Sequence, residues 1–463
     1  MTRHVGVVGA GIAGLAAALR LRDRLGARAR ITVWDKDHAA GGKLRTGTVS
    51  GARTELGAET FLVRDPDGGE SAAVSLAHRL GLDLVHPAPV APALVVDGEL
   101  APVPGGTLLG VPGDLDLVGE VAAADRDRDR DSGRPLLGPY EDVAVGHLVR
   151  RRLGDRVVDR LVDPMLGGVY AGRADGLSLA ATMPALAAAC RAEHTLTGAV
   201  RAALAASRHR AAGPVFATVP GGLVRLVGAV AAASGAELRL GRPVRELSRA
   251  GRGWRLVVGS TPDPEPVEVD AVVLALPARP AAKLLRGVDA AAAGEVGALD
   301  YASVALVTLA LPARAELPEI SGFLVPAGEG TLIKAATFLS RKWPHLTAGS
   351  EVVLVRASVG RYREERVLRF SDAELARRAH ADLSAILGVE LPAARAASVR
   401  RWGGALPQYA PGHLDRVAAA RAALPATLRL AGAGYDGIGI PACVRSGQVA
   451  ADGLAAALRE SVA

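Results

Sequence analysis

The sequence predicts an α/β protein in which a Rossmann-like nucleotide-binding domain is discontinuous, interrupted by inserted domains. Three observations predict it. A strand, a glycine-rich turn, a helix and a second strand follow one another between residues 5 and 34. Strand-like runs that suit the same sheet recur in the middle and at the end of the chain. The length of 463 residues also exceeds what one hydrophobic core usually serves.

Residues 5–8 are a short apolar run, 11–25 are rich in Ala and Leu at helical spacing, and 31–34 are apolar again, which makes a βαβ unit. A further run at 271–276 ends at Pro277, and another at 427–431 leads into a glycine-rich stretch that ends at Pro441. Between Tyr140 and Arg210 the pattern is mostly helical. The alternating Asp and Arg residues of 125–131 read as a solvated loop, and 262–266 as a hairpin tip or exposed loop. The expected nucleotide-binding domain takes in 1–85, 215–280 and 396–463. Residues 86–214 form a largely helical insertion with part of the substrate domain, and 281–395 form the substrate-binding domain.

The chain is 49% hydrophobic and only 3% aromatic, so its core is built from small and branched side chains. A formal charge of +7 suits an acidic ligand, an anionic membrane surface or nucleic acid. The basic residues are scattered and no zinc-finger spacing accompanies them, so no nucleic-acid partner is expected. Cys190 and Cys443 belong to no CxxC pair, which points away from a disulfide framework and a metal site and towards a reducing cytoplasm. The run 5–19 superficially copies a signal peptide, but its glycines sit at dinucleotide-loop spacing. No later stretch reaches the ~18 apolar residues of a spanning helix. Peripheral membrane contact stays open.

Gly9-Ala10-Gly11-Ile12-Ala13-Gly14 lies between a strand and a helix, the context that gives GxGxxG its meaning. Gly9 allows the tight turn, Gly11 lets a pyrophosphate approach the main chain, and Gly14 lets helix and strand pack closely. The helix start supplies free N–H groups and a partial positive charge. Asp35, followed by Lys36, ends the second strand, where an acid bonds ribose hydroxyls.

Gly41-Gly42-Lys43 and then Glu55 to Glu59 follow that unit. This succession resembles the flavin-binding entry of the amine oxidase and protoporphyrinogen oxidase superfamily. The resemblance implies FAD as cofactor, with Lys43 near phosphate or substrate carboxylate and the backbone of Gly57, Ala58, Glu59 and Thr60 approaching the flavin. A solvated surface lysine is the plain alternative for Lys43. The same families close the site with a glycine-rich turn, here Gly437-Ile438-Gly439-Ile440-Pro441, before a helix expected to begin near Cys443. Val244 matches the position whose backbone meets the adenine.

Amine oxidases carry an aromatic residue before the final Ser-Gly, whereas 440–447 here contain none. The stretches 163–178, 334–345 and Arg401-Trp402 with 406–413 are instead similar to the bacterial coproporphyrinogen III and protoporphyrinogen oxidase family. That resemblance implies an FAD-binding domain with an inserted mixed-sheet substrate domain and a helical domain. It also implies oxidation of coproporphyrinogen III to coproporphyrin III in haem biosynthesis, with molecular oxygen as acceptor, peroxide as by-product and hand-over to a ferrochelatase. Protoporphyrinogen IX is the alternative substrate, and a flavin amine oxidase or carotenoid desaturase the more distant reading. Lys43, Lys334, Arg45 and Arg173 are candidates for pairing with substrate propionates, each with an ordinary surface-charge alternative. Trp402 is expected to pack against the flavin. No residue identifies itself as a general base, and no histidine has metal-ligand spacing.

Overall fold

A computed structural model describes residues 3–208 and 213–460. Five parallel strands form one sheet in the order Glu237–Arg239, Arg30–Trp34, His4–Val8, Ala271–Leu274 and Leu428–Leu430. Parallel strands of this kind are apolar on both sides because both faces are covered. Val5, Val7, Ile31, Val33 and Val273 pack with helices Ile12–Leu25 and Ile440–Glu460. Val8, Trp34, Val272 and Leu274 pack on the other side with Trp254 and Leu256. Those two belong to an antiparallel ribbon of Val244–Ala250, Gly253–Val258 and Glu265–Val269. The expected discontinuous α/β arrangement is therefore the observed one.

The inserted sheet has seven strands in the order Ala396–Pro407, Tyr301–Pro312, Val352–Val359, Ile333–Phe338, Gly322–Leu324, Pro92–Val96 and Glu99–Pro102. It is mixed, because Gly322–Leu324 and Pro92–Val96 run parallel while the other neighbours are antiparallel. Ala305, Val307, Val355, Ala357, Val359, Ile333 and Ala336 share a core with helix Asp372–Leu387. Side chains alternate along a strand, so Arg356 and Ser358 face the opposite way. A third core joins Leu94 to the helices Val145–Leu153, Asp163–Tyr170, Pro184–Cys190 and Leu196–Arg208. The helical reading of 140–210 thus holds across the described part, and Arg210 lies outside the described residues. Among the described residues no helix is long and apolar enough to cross a membrane.

Several expected boundaries move. The last strand of the parallel sheet is Leu428–Leu430 rather than 427–431, and the closing helix begins at Ile440 rather than near Cys443. Pro441 then falls in the first helical turn, where its missing N–H leaves no helical bond unmade. Glu265 and Pro266 lie in a strand, so 262–266 is only in part a hairpin tip; the strand is at an edge, where proline is tolerated.

The solvated-loop reading of 125–131 fails at Asp129, whose side chain is 3% exposed. Its carboxylate accepts from Leu196 N at 2.7 Å, Thr197 N at 2.9 Å and the Thr197 hydroxyl at 2.9 Å, at the start of helix Leu196–Arg208. A distant helix start with unpaired N–H groups supplies what the local charge pattern cannot show.

Helix Ile12–Leu25 packs closely on helix Ile440–Glu460, and a Cβ on Gly447 would sit 2.1 Å from the carbonyl oxygen of Ala13. Gly228, in helix Val224–Ser234, has nothing within 4 Å of its Cβ position. Gly447→Ala is expected to lower stability by ~2 kcal/mol or more through overpacking. Gly228→Ala is expected to raise it by up to ~1 kcal/mol through helix propensity. Urea unfolding of both variants checks the contrast, and equal stabilities would refute the helix contact.

Candidate active site

The strand His4–Val8 ends in the loop whose glycines differ in what demands them. Gly9 has φ +110°, and a Cβ there would lie 2.3 Å from the Ala275 carbonyl oxygen. A Cβ on Gly14 would lie 1.9 Å from the Gly9 carbonyl oxygen. Gly11 is another case, since its φ of −70° and ψ of 172° suit any residue and its Cβ would meet nothing within 4 Å. Neither backbone nor protein packing asks for glycine at Gly11; a ligand laid against the main chain does. The helix it opens has no side-chain cap and no acid in its first turn, which leaves its N–H groups to an anion.

The neighbouring segments are tied to this loop. Gly41 N donates to Ala10 O at 2.8 Å, and Gly42, at φ +58°, comes so close that its Cβ would be 3.2 Å from Gly11 Cα. Asp35 accepts from Ala10 N at 2.6 Å and Asp37 N at 2.8 Å, so its carboxylate stands beside the loop. Lys36 points outward, 79% exposed, towards Asp37 at 3.6 Å. Arg242 N donates to Asp35 O at 2.8 Å, which brings the segment leading to Val244 to the same end.

Further along, Ala58 N donates to Lys43 O at 3.1 Å, and a Cβ on Gly57 would be 2.0 Å from that oxygen and 3.1 Å from the Trp402 ring. Trp402 Nε1 donates to Leu56 O at 2.7 Å. Lys43 is half-buried, and burial lowers its pKa, partly offset by the nearby Cys443 thiol. Cys443 lies in the helix that follows Gly437, at φ +122°, and its N–H donates to Gly439 O at 2.9 Å. Ile438 packs against the helical core, and Ile440 is buried. The structure thus brings the residues 9–14, 41–43, 57–58, 402 and 437–440 into one continuous band, with Asp35 and Val244 at its far end. Thr60 follows, half-buried.

Glu59 has its side chain in an ion cluster rather than free. It accepts from Trp343 Nε1 at 2.7 Å and pairs with Lys342 at 2.7 Å and with Arg356. Burial alone would raise its pKa, but Arg356 and Lys342 hold it at about 2. The partners come from the short helix Leu339–Lys342, the residue after it and a strand far along the chain, so no local pattern reveals them. Glu55 is the reverse case: burial raises it to about 7, and the Leu223 N–H at 2.7 Å and the Thr46 hydroxyl only partly offset this.

On the substrate side, Arg45 donates to Ala40 O at 2.9 Å and Ala39 O at 2.6 Å. Arg173 is paired with Asp163 at 3.0 Å and Glu364 at 2.5 Å. Both guanidiniums are already engaged within the protein. Lys334 is 5% exposed and donates to Gly167 O at 2.9 Å; burial, then the charge of Arg361, brings its pKa down to about 7. Arg361 and Arg356 stand out only in three dimensions.

This arrangement is that of an FAD-dependent oxidoreductase, and the chain belongs to the family of flavin containing amine oxidoreductases, which it matches over residues 12–455. It is 38% identical to the coproporphyrinogen III oxidase of Mycobacterium tuberculosis, over 99% of this chain and 98% of that one. It is 28% identical to the coproporphyrinogen III oxidase of Bacillus subtilis, over 97% of each. A chloroplastic protoporphyrinogen oxidase of Oryza sativa is also 28% identical, over 93% of this chain and 82% of that one. Among solved structures, one from Exiguobacterium sp. 255-15, provisionally described as a protoporphyrinogen oxidase, superposes with a TM-score of 0.84 at 28% identity over 99% of both chains.

Glu55 gives a pH test. In the unfolded chain its carboxyl titrates near 4.5, and in the fold near 7. Between those values the folded state binds more protons, so stability falls as pH rises, and the loss is complete above the folded value. Glu55→Gln, neutral throughout, is expected to gain ~2 kcal/mol on the wild type between about pH 5 and pH 8. Urea unfolding at the two pH values measures the gain; a difference that does not change with pH would refute the assignment.

Proposed function

We propose that the chain is an FAD-dependent oxidase that converts coproporphyrinogen III to coproporphyrin III in haem biosynthesis. The observation that carries this reading is similarity along the whole chain to the mycobacterial enzymes, joined to a cradle whose Gly11 is required by nothing in the protein itself. Bound FAD supplies two-electron dehydrogenation, and three such oxidations remove the six hydrogens that separate a porphyrinogen from its porphyrin.

The residues contribute binding and field. Helix Ile12–Leu25 directs its free N–H groups at the pyrophosphate, and Asp35 accepts from the ribose. The segments Gly41–Lys43, Gly57–Thr60 and Gly437–Ile440 line the ring system, with Trp402 packed at its edge. Val244 lies at the adenine. The start of helix Ile440–Glu460 favours negative charge near the pyrimidine end. The absence of aromatic side chains at 440–447 speaks against an amine cage.

Molecular oxygen is the proposed acceptor, with peroxide formed, and the porphyrin passes to a ferrochelatase. The buried free thiols of Cys190 and Cys443 suit a reducing cytoplasm, with peripheral membrane contact open to test. Protoporphyrinogen IX is the second reading, favoured by the chloroplastic relative. The proposed nucleotide-binding domain comprises 1–85, 215–280 and 396–463, with Ala396–Pro407 shared because it is hydrogen bonded to Tyr301–Pro312. Residues 86–214 and 281–395 supply the inserted helical and substrate-binding parts.

Purified protein is expected to be yellow and to turn coproporphyrinogen III fluorescent faster than protoporphyrinogen IX, measured side by side with peroxide release. Colourless protein that FAD cannot reconstitute would sink the reading, and a reversed preference would select the second. Gly11→Glu puts a charged side chain at the proposed phosphate position, starting from a Cβ that meets nothing within 4 Å. It is expected to keep a folded circular dichroism spectrum while losing flavin absorbance; normal flavin content would show that the cradle lies elsewhere.

A further inference from the structure

Three cations lie together where the strand Ile333–Phe338 meets the helix Asp163–Tyr170, and they are held in different ways. Arg173 is fixed between the carboxylates of Asp163 and Glu364. Lys334 and Arg361 have no carboxylate within ion-pair distance among the described residues. Lys334 donates to Gly167 O at 2.9 Å, and Arg361 to Val325 O at 2.8 Å. Both belong to one hydrogen-bonded arch, because Val325 N donates to Lys334 O at 3.0 Å.

The backbone aims them. Register shifts between Ile333 and Ala335, and Ile333 and Ala336 pack into the core under helix Asp372–Leu387. Lys334 instead reaches across to the helical insertion. Arg361 follows Gly360, whose φ of +95° turns the chain at the end of strand Val352–Val359. The next residue, Tyr362, donates its N–H to Ala171 O at 2.7 Å, which closes the sheet against that insertion.

Burying two positive charges in one arch with carbonyl acceptors is unfavourable, and the charge of Arg361 adds to burial in lowering the pKa of Lys334. An anion placed between them removes that penalty and makes charge-assisted bonds to both. The pyrophosphate of the cofactor is served elsewhere, at Gly9 to Gly14. On the porphyrinogen reading, the anion that remains is a carboxylate of the substrate.

We propose that Lys334 and Arg361 form a two-cation seat for a propionate carboxylate of the substrate, with Arg173, Asp163 and Glu364 as the positioning group behind it. This rests on the porphyrinogen reading above. The seat makes acid side chains, rather than the tetrapyrrole ring alone, the feature by which substrate is selected.

The test compares coproporphyrinogen III with its tetramethyl ester on the same preparation of holoenzyme, so that partial loss of folding cancels in the ratio. Wild type is expected to favour the acid in kcat/KM. Arg361→Gln and Lys334→Met are each expected to raise KM for the acid ~10–100-fold while leaving the ester nearly unchanged. Arg361→Lys should restore most of the preference. Flavin absorbance confirms a loaded enzyme, and if buried Lys334→Met does not fold, Arg361→Gln decides the matter. An unchanged acid-to-ester ratio in a variant that holds flavin overturns the seat and leaves the oxidase reading standing. A wild type that oxidises no porphyrinogen at all overturns that reading, and the seat with it.

Discussion

Helices Ile12–Leu25 and Ile440–Glu460 approach each other where a side chain is missing. Ala13 O faces the bare Cα of Gly447, while Arg20 and Arg24 pair with Asp452 further along, so helices Ile12–Leu25 and Ile440–Glu460 run in the same direction. Both helix starts therefore lie at the same end of the parallel sheet, beyond the carboxyl ends of its strands, where α/β sheets bind ligands. This contact fixes the offset between the loop at Gly9 and the turn at Gly437. On the proposed reading, one helix start then serves the central pyrophosphate of FAD and the other the pyrimidine edge of its ring.

Charge is distributed around the cradle by the same logic of compensation. Glu59 is buried but meets Lys342, Arg356 and Trp343, and so remains ionised while it locks the segment 55–59 to the inserted sheet. Glu55, four residues earlier, is hydrogen bonded by the neutral donors Leu223 N and the Thr46 hydroxyl, and burial outweighs these and the charge of Arg356, so that it holds its proton to about 7. Lys334, Arg361 and Lys43 meet no carboxylate within ion-pair distance among the described residues.

The fold is shared with amine oxidases: a putrescine oxidase superposes with a TM-score of 0.70 at 18% identity, a likeness of architecture alone. Chemistry is decided by what the shared scaffold presents to its substrate. Residues 440–447 present no aromatic side chain. Where the helical insertion meets the seven-stranded sheet, Lys334 and Arg361 stand instead.

Local pattern was enough for the βαβ unit, the glycine loop and Asp35, because backbone conformation and strand–helix packing act over a few residues. The glycine turn at 437–440 and the discontinuous sheet were legible for the same reason, though Pro441 moved the helix start. Resemblance carried Lys43, Gly57, Val244 and Trp402, which no spacing rule identifies. Tertiary structure alone paired Arg173 with Glu364, buried Asp129 as a helix cap, and set Arg356 against Glu59. Such pairings join residues that are far apart in sequence, so their sign and partner depend on which elements pack. The sequence by itself determined a loop at Gly9 of the kind that cradles a dinucleotide; only the packed chain decided which charges are paired within the protein, because those partners are brought together by elements distant in sequence.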